Sequence, residues 1–90
     1  MDKNMKILEW IIKEIKPNLI KTINFKYTSY KIKHIAEGEL GFYVDNEDII
    51  KAMEFLCIDS VDSKCTPLNK CYPISKKWFD SKRMKGCINE

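Results

Sequence analysis

The sequence predicts an all-α fold, four to five short helices in one compact domain over residues 1–90, with at most a minimal two-strand β-bridge. Three observations carry that expectation. Apolar residues recur at helical period in successive segments. Residues able to cap a helix N-terminus precede the later segments. Pro17, Gly41 and Gly86 stand where segments end.

Residues 4–16 read as the first helix. Ile7, Leu8, Ile11, Ile12 and Ile15 form one apolar stripe, and Pro17 closes it. Trp10 lies off the stripe and is read as reaching a second element of the core. Residues 18–27 read as a helical turn or two followed by a loop through Asn24. A second helix runs from Thr28 or Ser29 to Leu40, with Thr28 as N-cap and Tyr27 and Ile32 at hydrophobic-staple spacing. Ile32, Ile35, Ala36 and Leu40 point inward, Gly38 costs up to ~1 kcal/mol relative to alanine, and Gly41 terminates the helix.

Phe42-Tyr43-Val44 is too short for an independent strand. Asp45 caps the next helix with Asp48 at the capping-box position and Val44 and Ile49 as a staple. Ile49, Ile50, Met53, Leu56 and Cys57 make its inner face. Residues 58–73, rich in Asp, Ser, Asn and Pro, read as a loop. Ser75 then caps a last helix anchored by Trp78 and Phe79, with Ile74 and Phe79 as staple and Gly86 at its end. The short segments Phe42–Asp45 and Cys71–Ser75 are the candidates for the β-bridge.

Charge divides along the chain. Residues 1–30 carry six lysines and three acids, net +3; residues 31–60 carry three lysines and seven acids, net −4; residues 61–90 carry six lysines, Arg83 and three acids, net +4. This pattern implies two electrostatically unlike faces. A uniformly basic nucleic-acid binder and a strongly acidic nucleic-acid mimic are both excluded as whole-chain descriptions.

No apolar run is long enough to span a membrane, and the N-terminal segment is broken by Glu9, Lys13 and Glu14, so the expected location is the cytoplasm. Cys57, Cys65, Cys71 and Cys87 are then expected as reduced thiols, Cys57 in the core and the others partly exposed. Their spacings of 8, 6 and 16 contain no C-x-x-C pair. Free thiols, a Cys65–Cys71 disulfide and metal ligation remain open for Cys65 and Cys71.

Nothing in the chain assembles a catalytic set. There is one histidine, no glycine-rich phosphate loop, and the acids at the start of the third helix are explained by capping. The expectation is a binding protein, not an enzyme, with no cofactor. Helix 28–40, the link 41–44 and the helix from Asp45 make a loose helix-turn-helix. Asp45, Glu47 and Asp48 nevertheless occupy the turn where a reader of DNA places cations or amides. The better basic surface is Lys76, Lys77, Lys82, Arg83 and Lys85 beside Trp78 on the last helix, which supports backbone contact without sequence readout.

The stretch Ser29-Tyr30-Lys31-Ile32-Lys33-His34-Ile35-Ala36-Glu37, followed by Gly41-Phe42-Tyr43-Val44-Asp45-Asn46, resembles a group of small proteins carried by bacteriophages and integrating elements of low-GC Gram-positive bacteria. Their shared pattern runs S-Y-x-L-K-H-x-x-E, then G-x-Y-[VI]-x-N, and a later stretch corresponds to Tyr72–Lys77. Lys31 departs from it, standing where glycine is common. The resemblance implies a phage or mobile-element accessory protein, and by association an inhibitor of a host defence nuclease complex of the anti-CRISPR kind. The partner expected is therefore a host protein or ribonucleoprotein complex, with nucleic acid held by the last helix as the alternative. The partner-facing candidates are Tyr30, Lys33, His34, Glu37, Tyr43 and Asn46, together with Lys76, Lys77, Lys82 and Arg83. Tyr30 and His34 are expected to stack, Lys33 and Glu37 to pair across one turn. Equally, the cluster is expected to pin its helix to the Tyr43–Asn46 link.

Overall fold

A computed structural model describes residues 2–64, Thr66 and residues 68–83. Helix α1 (Lys3–Glu14) forms where the apolar period places it. Ile7, Ile11 and Ile15 are fully buried and Trp10 joins them at 7 % exposure, so the indole is a core residue. The stripe is narrower than its sequence suggests: Leu8 is half-buried and Ile12 is 47 % exposed.

The fold is α+β, not all-α. After a 3₁₀ turn at Lys16–Asn18, the segment expected to be helical is strand β1 (Leu19–Asn24). Ile20, Thr22 and Ile23 are β-branched and favour extended backbone. Residues 58–73, expected to be a loop, contain β2 (Val61–Asp62) and most of β3 (Lys70–Ile74). The three strands form an antiparallel sheet in the order β1-β3-β2.

Cys71–Ser75 therefore pairs with β1 and β2, and the expected bridge to Phe42–Val44 is replaced by these ladders. Leu19 opposes Ile74 and Asn24 opposes Tyr72, five steps along β1 against two along β3. Pro73 lies between those pairs. It has no N–H to donate, and the bulged stretch of β1 falls opposite it, which is how a proline occupies a central strand.

Helix α2 (Ser29–Leu40) begins with the Thr28 hydroxyl accepting from the Tyr30 amide at 3.2 Å and ends at Gly41, whose φ of 82° suits glycine. Helix α3 (Asn46–Phe55) opens on a capping box in which the Asp45 amide donates to the Asp48 carboxylate at 3.0 Å. Its staple pair, Val44 and Ile49, is fully buried. Past its end Cys57 turns outward in the left-handed region, φ 59°, and is exposed instead of lying in the core. Helix α4 (Lys76–Arg83) starts with the Ser75 hydroxyl accepting from the Lys77 amide at 3.1 Å. Cys65, Lys85, Gly86 and Cys87 lie outside the described residues; Cys71 is buried.

The core runs between the sheet and the helices through Ile11, Ile32, Ile49, Met53, Ile74 and Phe79. An ionic clasp binds α1, α2 and α4 beside it. The Lys82 ammonium lies 2.7 Å from both the Glu14 and the Glu39 carboxylates. The Trp10 indole donates to Glu39 at 2.8 Å and the Trp78 indole to Glu14 at 3.3 Å, while the two indoles meet edge to face. The Lys82 bonds hold the Glu14 carboxyl below the usual range, against a smaller upward push from burial. Burial pulls the Lys82 ammonium down, but its bonds to Glu14 and Glu39 outweigh that and raise it.

Candidate binding face on α2 and the 41–45 link

Helical spacing puts Tyr30, Lys33, His34 and Glu37 on neighbouring faces of α2, and the tight turn at Gly41 brings Tyr43 back over them. Lys33 lies beneath this layer at 8 % exposure. Its ammonium sits 5.7 Å from the Tyr30 ring centre and 5.1 Å from that of Tyr43, within cation–π range of both. Glu37 pairs with it at 3.2 Å. The same carboxylate oxygen accepts from the Val44 amide at 3.0 Å. That amide bond, then Lys33, hold the Glu37 carboxyl below its ordinary range against burial. Glu37 thus fastens helix to link, as the sequence led one to expect.

Above this bracing lie the exposed rings. Tyr30 is 53 % exposed and Tyr43 63 %. Tyr30 and His34 meet edge to face with centres 4.5 Å apart, and His34 Nδ1 lies 3.5 Å from Glu37. Two residues not singled out by the sequence complete the face. Lys3 of α1 reaches over Phe42 and Tyr43 at 5.8 and 5.5 Å. No sequence spacing links Lys3 to the 42–43 pair, since only the packing of α1 against α2 brings them together.

The remaining candidates lie elsewhere. Asn46 turns towards the β2–β3 loop, donating to the Leu68 carbonyl and the Asn69 side chain, each at 3.1 Å. Lys82 belongs to the clasp, with its side chain 10 % exposed. Lys76 is exposed but pairs with Asp80 at 3.0 Å. Lys77 is exposed on the first turn of α4, and Arg83 ends that helix. Lys82 is therefore not part of the basic surface expected on α4.

The order α2, link, α3, then a β2–β3 hairpin is that of a helix-turn-helix followed by a wing. The second helix of such a pair is the one that enters a DNA groove. Here it exposes Glu47 and Glu54 around Lys51, behind the Asp45 cap. Among the described residues, no group of three or more His, Cys, Asp or Glu is arranged to hold a metal ion. No described helix is long and apolar enough to cross a membrane. Comparison with protein-family models, with curated proteins and with solved structures returned no match for this chain.

Proposed function

We propose that the chain acts by binding a protein partner, without catalysis, through the Tyr30–His34–Tyr43 face. The observation that carries this reading is a pair of tyrosines more than half exposed on a base already fixed by Lys33, Glu37 and the Val44 amide. Rigid tyrosines offer a partner large contact area at small entropic cost, and such anchors dominate interface energetics. The identity of that partner as a host protein, a defence nuclease complex first, rests on the resemblance of residues 29–46 to phage-borne proteins.

Site-specific photo-crosslinking tests the reading. A benzophenone side chain replacing Tyr30 or Tyr43 is expected to capture a protein from a bacterial lysate, while the same group replacing Lys77 on α4 captures none. Equal yields from all three positions would refute it.

Nucleic-acid binding is the second reading, favoured by the helix-turn-helix and hairpin order. It weakens at the charges of α3, because carboxylates at the reading helix repel phosphates. A mobility shift on generic DNA or RNA that falls steeply with added salt would restore it.

A further inference from the structure

The strand order β1-β3-β2 leaves β1 with β3 on one side and no strand on the other. Among the described residues, no backbone group of residues 20–23 hydrogen-bonds outside the ladder with β3. Ile20, Lys21 and Thr22 are exposed, Ile20 at 46 %. The outer edge of such a strand carries N–H and C=O groups aimed away from the sheet. What completes them is another extended backbone.

We propose that the outer edge of β1 takes an acidic, extended segment of a protein partner as an added strand. The backbone edge selects an extended peptide, and charge selects an acidic one. Between Ile15 and Ala36 the chain carries Lys16, Lys21, Lys26, Lys31 and Lys33 and no acid. Lys16, Lys21 and Lys26, before, within and after β1, are exposed, and among the described residues none pairs with a carboxylate. Glu14, just ahead of this stretch, is held by Lys82. Asp59 shares a shallow pocket with Lys21, but it precedes β2 and so stands across β3 from the free edge. Lysines on an edge strand guard it against like-charged strands, and the same cations favour an acidic one. A second copy is disfavoured on that ground. Two-fold antiparallel pairing of β1 with itself sets Lys21 beside Lys21 and Lys16 near Lys26, with no acid on either strand. The bulge between Leu19 and Asn24 limits the ladder a guest strand can make, so charge carries a large share of the recognition.

The probe is a labelled peptide of alternating threonine and glutamate. It is compared with its lysine counterpart and with the glutamate peptide N-methylated along its backbone, which keeps the charge and removes the donors. Titration with the full chain, followed by fluorescence anisotropy, is expected to show the glutamate peptide binding about tenfold or more tighter than either. Its advantage over the lysine peptide is expected to shrink with added salt. Bound glutamate peptide is expected to slow amide hydrogen exchange within residues 20–23. Lys21→Glu, at an exposed position and with an unchanged circular dichroism spectrum, is expected to weaken the glutamate peptide by about tenfold. Tyr30→Ala is expected to leave it unchanged, so the result is separate from that for the Tyr30–His34–Tyr43 face. No binding of the glutamate peptide, equal affinity for the lysine peptide, or equal affinity for the N-methylated peptide would each overturn the proposal. So would a dimer of the chain that protects the same amides without peptide.

Discussion

Glu37 carries more of the binding face than its exposure implies. Its carboxylate joins a buried ammonium to a link amide, so its removal leaves Lys33 and the Val44 N–H without their partner at once. Glu37→Ala is expected to lower the melting temperature more than Glu37→Gln, which keeps an acceptor for Val44; thermal denaturation followed by circular dichroism ranks the two. Gly38 stands exposed inside α2, and a methyl group there meets nothing within 4 Å. Gly38→Ala is expected to stabilise the fold by about 0.5–1 kcal/mol in chemical denaturation. Cys57 holds a left-handed conformation that favours glycine, so Cys57→Gly is expected to stabilise by a few tenths to about 1 kcal/mol. The Lys33–Glu37 pair and the Tyr30–His34 contact were legible from spacing alone, because one helix contains both. The outward turn of Cys57 was not, because an apolar position at helical spacing loses its meaning once the helix has ended at Phe55.

Caps and staples made the helices legible at the scale of elements. Thr28, Asp45 and Ser75 stand at the starts of α2, α3 and α4, each marked by short-range chemistry. The strands lacked such marks. β2 has two residues, the bulge of β1 breaks its alternation, and β3 contains a proline. The pairing of β1 with β3 is a tertiary matter between residues some fifty positions apart, Leu19 with Ile74 and Asn24 with Tyr72.

The clasp is also tertiary, and it gives a pH prediction. Glu14 has a lowered folded pKa, so its contribution is full above the unfolded value and is lost as pH falls through the folded one. Lys82 has a raised folded pKa, so its contribution is full below the unfolded value and is lost as pH rises through the folded one. The clasp is therefore expected to hold from about pH 5 to about pH 10 and to weaken outside that window. Lys82→Ala is expected to cost about 1–3 kcal/mol near neutrality, with less effect near about pH 3, as measured by urea denaturation across pH.

The uneven charge of the chain becomes spatial order across the whole molecule. The acids of residues 31–60 divide between structural work, at Glu37 and Glu39, and an outward face on α3. The lysines of the C-terminal third divide likewise, Lys82 into the clasp and Lys70 onto Asp62 at 2.6 Å. A helix-turn-helix order with carboxylates on its second helix does not by itself carry the function most often attached to that order. The exposed Tyr30, His34 and Tyr43 side chains are the surface on which the proposed protein binding rests.

Capture from a nuclease-treated bacterial lysate tests it most directly, comparing the native chain with the Tyr30→Ala/Tyr43→Ala double variant at matched circular dichroism and melting temperature. A protein is expected to be retained by the native chain, undiminished by nuclease, and lost with the double variant. Equal retention by both chains, or retention that disappears with nuclease, would contradict it.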